Sequence, residues 1–245
     1  MKQVFLEIKE NTPLTKNVMK MVLTGDTSSV SAPGQFINIR LDGFYLRRPI
    51  SICDCTDGEL TIIYKVVGKG TAAMAEMAPG ESLDVLCGLG NGYDTALSGE
   101  KPLLLGGGVG VPPLYMLAKK LISEGKKVSV VLGFNTADEV FYEEEFKALG
   151  ADVTVTTADG SYGVKGFVTD ALPGGETYFY TCGPEPMLKA VYKTLKTDGQ
   201  LSFEERMGCG FGACMGCTCK TVTGYKRICK DGPVLKKEEI ISWND

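Results

Sequence analysis

Short hydrophobic runs fill the first third of the chain, from Val4 to about Leu86, and Gly, Pro, Asn and Asp residues separate them. Short runs bounded by such turn-forming residues are typical of β-strands. The predicted strands are VFLEI, VMKMVL, QFINIRL, PISICD and ELTIIYKVV. The pattern predicts a small antiparallel β-barrel, with one short helix from Thr71 to Met77 and a glycine-rich stretch, CGLGNGY, that closes it near Tyr93.

After Lys101 the hydrophobic pattern changes to strands that alternate with helices. The predicted strands are LLLGG, VSVVLGF, DVTVTT and TYFYTCG, and predicted helices begin at Pro112, run through Phe146, lie near Val168 and follow Pro184. In the helix from Pro112, apolar residues recur at helical spacing and form one stripe: Leu114, Leu117, Ala118, Leu121 and Ile122. Alternation of this kind predicts a doubly wound α/β domain with a parallel sheet.

The last segment, from about Gln200, is rich in Gly and Cys, as in GCGFGACMGCTC. It has too few large apolar residues for a core of its own, so we expect something other than hydrophobic burial to hold it. The changes of pattern predict three domains: a barrel at 1–98, an α/β domain at 99–199 and a small C-terminal module at 200–245.

Composition narrows the class of protein. With 245 residues, 44% of them hydrophobic, the chain can bury one or two cores. A formal net charge of −4 offers no basic surface to nucleic acid or anionic lipid. The start, MKQVFLEIKE, lacks the apolar core of a signal peptide, and no run of about 18 apolar residues marks a membrane helix. We expect a cytoplasmic protein that binds neither nucleic acid nor membrane.

The sequence contains no histidine, which removes several kinds of active site. A Ser-His-Asp triad, an HExxH zinc site, a His-ligated haem and a Rieske cluster all require that residue. Any metal in this protein must therefore be bound mainly by thiolates.

Five of the nine cysteines lie between Cys209 and Cys229. Cys209, Cys214 and Cys217 show the C-x4-C-x2-C spacing of plant-type [2Fe-2S] ligands, and neighbouring glycines let the main chain bend around a cluster. Structural zinc is the alternative, although zinc sites more usually contain two CxxC pairs. The spacing therefore favours an iron–sulfur cluster.

The fourth cluster ligand must be Cys219 or Cys229. Cys219 is two residues from Cys217, so on an extended segment the two side chains would point to opposite faces. Cys229 would clamp a longer loop and so stabilise a segment that has little core. We predict Cys229 as the fourth ligand and Cys219 as a free thiol.

Two motifs in the predicted barrel are candidates for phosphate binding. Arg47-Arg48-Pro49-Ile50-Ser51 begins a strand, where a fixed guanidinium can grip a phosphate with two hydrogen bonds. Its alternative is a solvated basic pair. Gly68-Lys69-Gly70-Thr71 opens the short helix, whose free N–H groups can receive a pyrophosphate, or Thr71 can serve only as an N-cap.

Two motifs in the predicted α/β domain are candidates for dinucleotide binding. The segment 106–112, GGGVGVP, joins a buried strand to a helix, which lets a diphosphate approach the main chain, although it does not match GxGxxG. A turn without a ligand is the alternative. Cys182 follows a strand at the sheet edge where open α/β folds bind ligands, or it is a small buried residue. We interpret Cys53, Cys55 and Cys87 as packing residues and the carboxylates at 143–145 as a solvated helix face.

Taken in order, RRPIS, GKGT, GGGVGVPP, CGPEPM and ERMGCGFGACMGCTC resemble motifs of the ferredoxin reductase superfamily, and within it the electron-transfer subunits of NAD-linked dihydroorotate dehydrogenase. The resemblance covers nearly the whole chain. It implies an FAD-binding barrel, an NAD-binding domain and a C-terminal [2Fe-2S] module. It also implies an FMN-containing catalytic subunit as partner, in a heterotetramer of two plus two subunits.

The resemblance assigns roles to individual residues by position. The residues it places against the flavin and its phosphates are Arg48, Pro49, Ile50, Ser51, Ile63, Tyr64 and Lys65, with Gly70 and Thr71 at the pyrophosphate. Gly107, Gly108 and Cys182 would face the nicotinamide dinucleotide. The superfamily usually has Tyr where Ile50 stands, so this chain lacks that aromatic group, while Ser51 keeps a hydroxyl that could approach flavin N5.

These assignments imply a series of electron carriers within one polypeptide. A nicotinamide transfers two electrons as hydride and an iron–sulfur cluster transfers one, so a flavin between them is the converter. Nearly every segment belongs to a module, which leaves no pocket with an acid and a base for an organic substrate. We therefore predict that dihydroorotate is oxidised on the partner's FMN and that electrons reach NAD⁺ through this chain's cluster and FAD.

Other functions would fit the same motifs. One alternative is the small subunit of a ferredoxin:NADP oxidoreductase or sulfide dehydrogenase, or the reductase of an oxygenase. A remote alternative is a zinc-binding interaction module without enzymatic activity. We also predict a preference for NAD over NADP, because residues 135–139 include two acids and no Arg or Lys for a 2′-phosphate, although the loop at 157–161 is another place for that choice.

Overall fold

The computed structural model describes residues 1–241 and 243, and its first part is a closed antiparallel barrel. The six strands are β1 (Lys2–Pro13), β2 (Val18–Thr24), β3 (Phe36–Ile39), β4 (Arg48–Thr56), β5 (Glu59–Lys65) and β6 (Ser82–Leu89). They follow one another around the barrel in the order β1-β2-β5-β4-β3-β6. The predicted barrel is confirmed. Its sixth strand was not among the predicted runs, and it closes the barrel by pairing with both β1 and β3.

The barrel interior is filled by alternate residues of each strand. Fully buried side chains there include Leu6, Ile37, Ile52 and Tyr64. Helix α1 (Lys69–Ala75) joins β5 to β6. Asn11 Nδ2 donates to the carbonyl oxygens of Met74, in its last turn, and of Met77, just beyond the helix, at 2.9 Å each. Helix α1 begins and ends two residues earlier than predicted, because Gly68, with an extended backbone, is its N-cap.

The second domain contains a parallel sheet with helices on both faces. Its strands are β7 (Pro102–Gly107), β8 (Ser129–Phe134), β9 (Asp152–Thr157), β10 (Val164–Lys165), β11 (Tyr178–Cys182) and β12 (Gly199–Ser202). Its helices are α2 (Pro112–Ser123), α3 (Glu143–Ala148) and α4 (Glu185–Thr194), and the helix predicted near Val168 is a single 3₁₀ turn. Leu104 packs with α2, whereas Leu103 and Leu105 pack with α4 on the opposite face. The predicted doubly wound sheet is confirmed.

The strands of the sheet lie in the order β10-β9-β8-β7-β11-β12. The direction in which successive strands are added across the sheet reverses beside β7. The chain moves from β7 to β8 on one side and later returns to β11 on the other. Open α/β sheets bind ligands at such a point, outside the carboxyl ends of the strands. The ends of β7 and β11 are therefore the place to look for a dinucleotide site.

The C-terminal segment is held by its two neighbours. It contains a hairpin, β13 (Thr218–Thr221) and β14 (Gly224–Arg227), and a strand β15 (Val234–Lys236) that joins the parallel sheet antiparallel to β12. Phe36 and Leu89 of the barrel pack against Cys217, Ile228 and Cys229. Burial thus holds this segment after all, because the barrel supplies the apolar residues that the segment lacks. The predicted boundary after residue 199 falls within β12, and the predicted end at residue 245 lies outside the described residues.

The barrel and the α/β domain share a core. Val18, Cys53 and Ile63 on the outside of the barrel pack with the apolar stripe of α2. Beside them, Lys119 of α2 forms an ion pair with Asp54 of β4, with Nζ and Oδ2 2.9 Å apart. The shared core fixes β4 and β5 against the start of the second domain. None of the helices in residues 1–241 and 243 is long and apolar enough to cross a membrane.

Candidate functional site

Arg48 lies at the start of β4, beside helix α1. A Cβ atom on Gly70 would lie 2.1 Å from Arg48 Nε and 2.6 Å from its Nη2. The guanidinium also stacks on the Phe44 ring, 4.8 Å from the centroid, and donates to the main-chain oxygen of Leu46. The structure therefore brings the two predicted phosphate-binding motifs of the barrel together, with the Arg48 guanidinium lying against Gly70.

The adjacent arginine has a different environment. Arg47 Nη2 donates to both carboxylate oxygens of Asp84, at 3.0 and 3.1 Å, and its Nη1 donates to the main-chain oxygen of the same residue at 2.9 Å. These contacts fasten Arg47 to β6. Arg48 is thus the member of the pair that is left available for a phosphate.

Two predicted flavin residues use their polar groups inside the protein. The Thr71 hydroxyl accepts hydrogen bonds from the main-chain N–H groups of Val67 and Gly68, at 3.0 and 3.3 Å. Tyr64 points into the barrel core and its hydroxyl donates to Asn11 Oδ1 at 3.1 Å. Contacts from Tyr64 to a ligand outside the barrel would therefore come from its main chain.

The other residues at 49–51 and 63–65 divide between the two faces of the barrel wall. Pro49 pairs with Asn38 and Ser51 pairs with Phe36 across β3 and β4, and residues directly opposite one another share a face. Pro49 and Ser51 therefore point outward, whereas Ile50 packs against the barrel core. On β5, Ile63 contributes to the core shared with the α/β domain and Lys65 is exposed.

Replacing Arg48 by alanine is expected to weaken FAD binding. The loss of charge-assisted phosphate contacts, worth about 1.5–3 kcal/mol, corresponds to a roughly 10- to 150-fold rise in the FAD dissociation constant. Fluorescence titration of FAD into the flavin-free protein measures it. Arg40→Ala is the matched control, because Arg40 is exposed and 3.7 Å from Asp84. Equal FAD affinity in the two variants would show that Arg48 does not contribute to FAD binding.

The glycine-rich turn after β7 packs against the end of β11 and the start of α4. A Cβ on Gly110 would lie 2.2 Å from the Cys182 carbonyl oxygen, and one on Gly107 would lie 2.5 Å from Met187 Sδ. Gly108 differs: its φ is +51° and no atom lies within 4 Å of the position that a Cβ would take. The turn is thus tightly packed on one side and open at Gly108, where a diphosphate could approach the main chain at the start of α2.

Cys182 ends β11 and pairs with Gly106 of β7, so it lies at the edge of the sheet beside the glycine turn. Burial raises the pKa of its thiol to about 12. The thiol is therefore protonated at neutral pH and is not activated as a nucleophile. It can contact a nicotinamide but cannot attack one.

The candidate flavin and dinucleotide sites meet at the domain interface. Strand β5, which carries three of the predicted flavin residues, lies against the 3₁₀ turn Gly108–Gly110. The shared core described above holds the two segments in this relation. Groups bound to the outside of β4 and β5 and to the glycine turn would therefore be neighbours.

Two loops at the ends of β8 and β9 form one surface. Asn135 donates to Glu139 Oε2 from its main-chain N–H at 3.1 Å and from Nδ2 at 2.8 Å. The N–H of Ala137 donates to Ser161 Oγ at 2.8 Å. The segments 135–139 and 157–161, which the sequence offered as alternatives for cofactor choice, thus lie together.

The four predicted ligand cysteines form two pairs. The main-chain N–H of Cys214 donates to Cys209 Sγ at 3.4 Å, and that of Cys229 donates to Cys217 Sγ at 3.4 Å. Cys217 and Cys229 are each 2% exposed, whereas Cys214 is exposed. Each iron of a [2Fe-2S] cluster takes two thiolates, so two pairs suit a binuclear cluster.

Main-chain N–H groups point at the sulfur atoms. Ala213 and Cys214 donate to Cys209 Sγ at 3.2 and 3.4 Å, and Cys229 donates to Cys217 Sγ at 3.4 Å. Burial acts to raise the pKa of Cys209, but N–H donors from Cys214, Phe211 and Ala213 lower it to about 6. Donors of this kind stabilise the thiolate form that iron requires, so the residues present fit the cluster.

Two residues that support the cysteine loop were not found from the sequence. Arg227 donates to Asp231 from Nε and Nη2, at 2.8 and 3.0 Å, and from Nη1 to the Gly212 oxygen at 3.1 Å. Asn38 of β3 donates from Nδ2 to the Cys209 oxygen at 3.3 Å. No sequence signal marks either residue, because an arginine in a hairpin and an asparagine in a strand are ordinary and their partners are distant.

Comparison with protein families yields two matches. Residues 104–193 match the oxidoreductase NAD-binding domain, and residues 204–241 match the iron–sulfur cluster binding domain of dihydroorotate dehydrogenase B. A relative from Geobacillus sp. (strain WCH70), named dihydroorotate dehydrogenase B (NAD(+)), electron transfer subunit, is 45% identical over 98% of this chain and 99% of its own length. A relative of the same name from Fusobacterium nucleatum is 46% identical over 95% of this chain and 96% of its own.

This chain belongs to the family of dihydroorotate dehydrogenase B electron transfer subunits. The predicted family is confirmed, and so are an iron–sulfur module and an NAD-binding domain as parts of an oxidoreductase component.

Solved structures of two reductases have folds similar to that of this electron transfer subunit. The structure of an NADH-dependent reduced ferredoxin-NADP oxidoreductase, described for flavin-based electron bifurcation, has a TM-score of 0.88 and 31% identity, covering 97% of this chain and 90% of its own. A ferredoxin NADP⁺ reductase from Neisseria gonorrhoeae with bound FAD and NADP has a TM-score of 0.68 and 17% identity, covering 79% of this chain and 90% of its own. The second likeness shows the fold alone.

Proposed function

We propose that this chain passes electrons between NAD⁺ and the FMN of a catalytic subunit that oxidises dihydroorotate to orotate, using bound FAD and a [2Fe-2S] cluster. One observation carries the proposal. Phe36 pairs with Ser51, a predicted flavin residue, and packs against Cys217 and Cys229. The flavin face of β4 and the buried cysteine pair thus lie on the same side of the barrel wall, one strand apart.

The residues of the chain bind and orient the carriers. Arg48 and the main chain at Gly70 hold the flavin phosphates, and the open main chain at Gly108 receives the dinucleotide. The two cysteine pairs hold iron, with N–H donors on their sulfur atoms. FAD, when bound, converts between two-electron hydride transfer and one-electron transfer.

The proposal includes a partner and a compartment. The names of the relatives describe a subunit of a larger enzyme, and we infer an FMN-containing catalytic partner in a heterotetramer of two plus two. We place the assembly in the cytoplasm, because thiols that serve as iron ligands need a reducing compartment and all nine cysteines are free of disulfide bonds. Oxidation of dihydroorotate there would supply pyrimidine synthesis.

The isolated chain is expected to reduce artificial dyes with NADH but to form no orotate, because it offers no general base for that substrate. Orotate should appear only after the catalytic subunit is added. Absorbance assays of dye reduction and of orotate formation, with and without that subunit, measure the division of labour. Orotate formation by the chain alone would contradict it, and an absence of NADH-dependent dye reduction in FAD-loaded protein would remove the electron-transfer function.

A second candidate is the corresponding subunit of a ferredoxin-NADP oxidoreductase, which the 0.88 TM-score and 31% identity favour. The relatives at 45–46% identity favour dihydroorotate dehydrogenase. Co-purification from native cells followed by mass spectrometry separates the two, because it identifies the partner, FMN and iron together.

NADH is expected to be used at least roughly tenfold more efficiently than NADPH. A 2′-phosphate would meet the carboxylates of Asp138, Glu139 and Asp159 on the joined loops, and juxtaposed like charges oppose binding. The ratio of kcat/KM for the two cofactors measures the preference. Lys165, whose methylenes lie against Gly160, is a cation beside this surface, so Lys165→Ala should widen the preference. Equal efficiency with NADPH would contradict the assignment of these loops.

A further inference from the structure

Asn38 lies on the outer face of β3. Its neighbours Ile37 and Ile39 fill the barrel interior, so Asn38 and Phe36 point to the outer face. That face is the one on which Ser51 and Pro49 lie, since Asn38 pairs with Pro49 and Phe36 with Ser51. Asn38 therefore stands between the predicted flavin strand and the cysteine loop.

The amide of Asn38 is directed at a cluster ligand residue. Its Nδ2 donates to the main-chain oxygen of Cys209 at 3.3 Å, and a Cβ on Gly210 would lie 2.3 Å from the same nitrogen. The φ of Gly210 is +80°, so both conformation and space require glycine there. The cysteine loop is thus pressed against Asn38 at the residue that follows Cys209.

The main chain of Asn38 is hydrogen-bonded to the segment that begins the predicted flavin strand. Its carbonyl oxygen accepts a hydrogen bond from Arg47 Nη1 at 3.3 Å, next to the flavin motif that begins with Arg48. One residue therefore contacts the start of the flavin strand through its backbone and the cysteine loop through its side chain.

The side-chain oxygen of Asn38 indicates that stability alone does not explain why an asparagine occupies this position. The residue is 1% exposed, and its Oδ1 has no hydrogen-bond partner in the described part of the chain. A buried acceptor without a partner costs free energy, and an apolar residue of similar size would avoid that cost. What an apolar residue could not supply is the donor to Cys209.

We propose that Asn38 is a positioning residue for electron transfer: its amide holds the main chain at Cys209 against the barrel face that carries Pro49 and Ser51, and so sets the cluster's position relative to the flavin. This inference rests on the proposed function. Asn38 need touch neither group, because it acts through the loop that bears the ligand.

Asn38→Leu removes the donor with little change in volume and is the principal test. Loss of one ordinary hydrogen bond corresponds to a roughly fivefold change in the population of the held loop, so we expect the rate of flavin-to-cluster electron transfer to fall at least that much. Stopped-flow spectroscopy of the complex after NADH addition measures flavin and cluster absorbance separately. FAD reduction by NADH should keep the wild-type rate.

Two readouts do not depend on turnover. The electron paramagnetic resonance spectrum of the reduced cluster should shift in Asn38→Leu, and amide hydrogen exchange at residues 208–216 should become faster. If Asn38→Leu fails to fold, Asn38→Ser, which shortens the side chain, should show the same changes. Loss of iron with full FAD content would also support the proposal, because it means that the loop is no longer held.

Asn91→Ala is the matched control. Asn91 also links the barrel side of the molecule to the C-terminal segment, donating to the Val234 oxygen at 2.7 Å, but its partners are not cluster ligands. Asn91→Ala should lower stability and leave the cluster spectrum and the transfer rate unchanged. Wild-type spectrum and rate in Asn38→Leu, or identical effects in both variants, would overturn the proposal. Failure of the wild-type cluster to become reduced by NADH would instead reject the proposed function.

Discussion

Cys229→Ser is expected to abolish the [2Fe-2S] spectrum, whereas Cys219→Ser is expected to retain it. Cys229 is buried, it packs in the same cluster as Cys217, and its N–H donates to Cys217 Sγ at 3.4 Å. Serine cannot supply a thiolate, so one iron would lose half of its protein ligands. Iron analysis and visible absorbance of the purified variants measure the effect, and we expect most of the iron to be lost.

Cys219→Ser serves as the control because Cys219 lies on β13, two residues after Cys217, but outside the two pairs. NADH-dependent dye reduction should be close to wild type in this variant. A normal spectrum in Cys229→Ser together with loss of iron in Cys219→Ser would show that the ligand set is wrong.

Gly110→Ala is expected to abolish NADH-dependent reduction. The new methyl group would lie 2.2 Å from the carbonyl oxygen of Cys182 and 2.6 Å from Gly183 Cα. Main-chain atoms cannot move aside as a flexible side chain can, so the glycine turn must shift away from β11. Overpacking of this kind costs about 1–3 kcal/mol of stability and displaces the site that Gly108 opens. Steady-state kinetics with NADH and thermal unfolding measure the two effects.

The control for this variant is Gly125→Asn. Gly125 follows the end of α2 with φ of +79°, no atom lies within 4 Å of its Cβ position, and asparagine tolerates that conformation. Its KM for NADH should stay at the wild-type value. A wild-type KM in Gly110→Ala as well would mean that the glycine turn does not bind the dinucleotide.

The sequence by itself determined the fold class and the kinds of chemistry. Short runs between turn residues predicted the barrel, and a change to strands alternating with helices predicted the parallel sheet, because each pattern reflects which faces of an element are buried. Cysteine spacing, glycine-rich turns and the lack of histidine are local properties, so they indicated the cluster and the nucleotide sites directly.

The tertiary structure decided how those sites relate to one another. It separated Arg47, which is fastened to Asp84, from Arg48, which lies on Gly70. It turned the Tyr64 side chain into the barrel core. Neighbouring residues in a short motif look equivalent in sequence, but alternation along a strand and distant partners give them opposite environments.

The C-terminal segment shows most clearly what could not be predicted from local sequence. Its own apolar residues are too few for a core, and Phe36, Leu89 and the pairing of β15 with β12 supply the contacts that it lacks. Asn38 and Cys209 meet across 171 positions of sequence. Contacts between residues so far apart leave no local pattern, so only the folded chain determines where the cluster loop lies against the barrel.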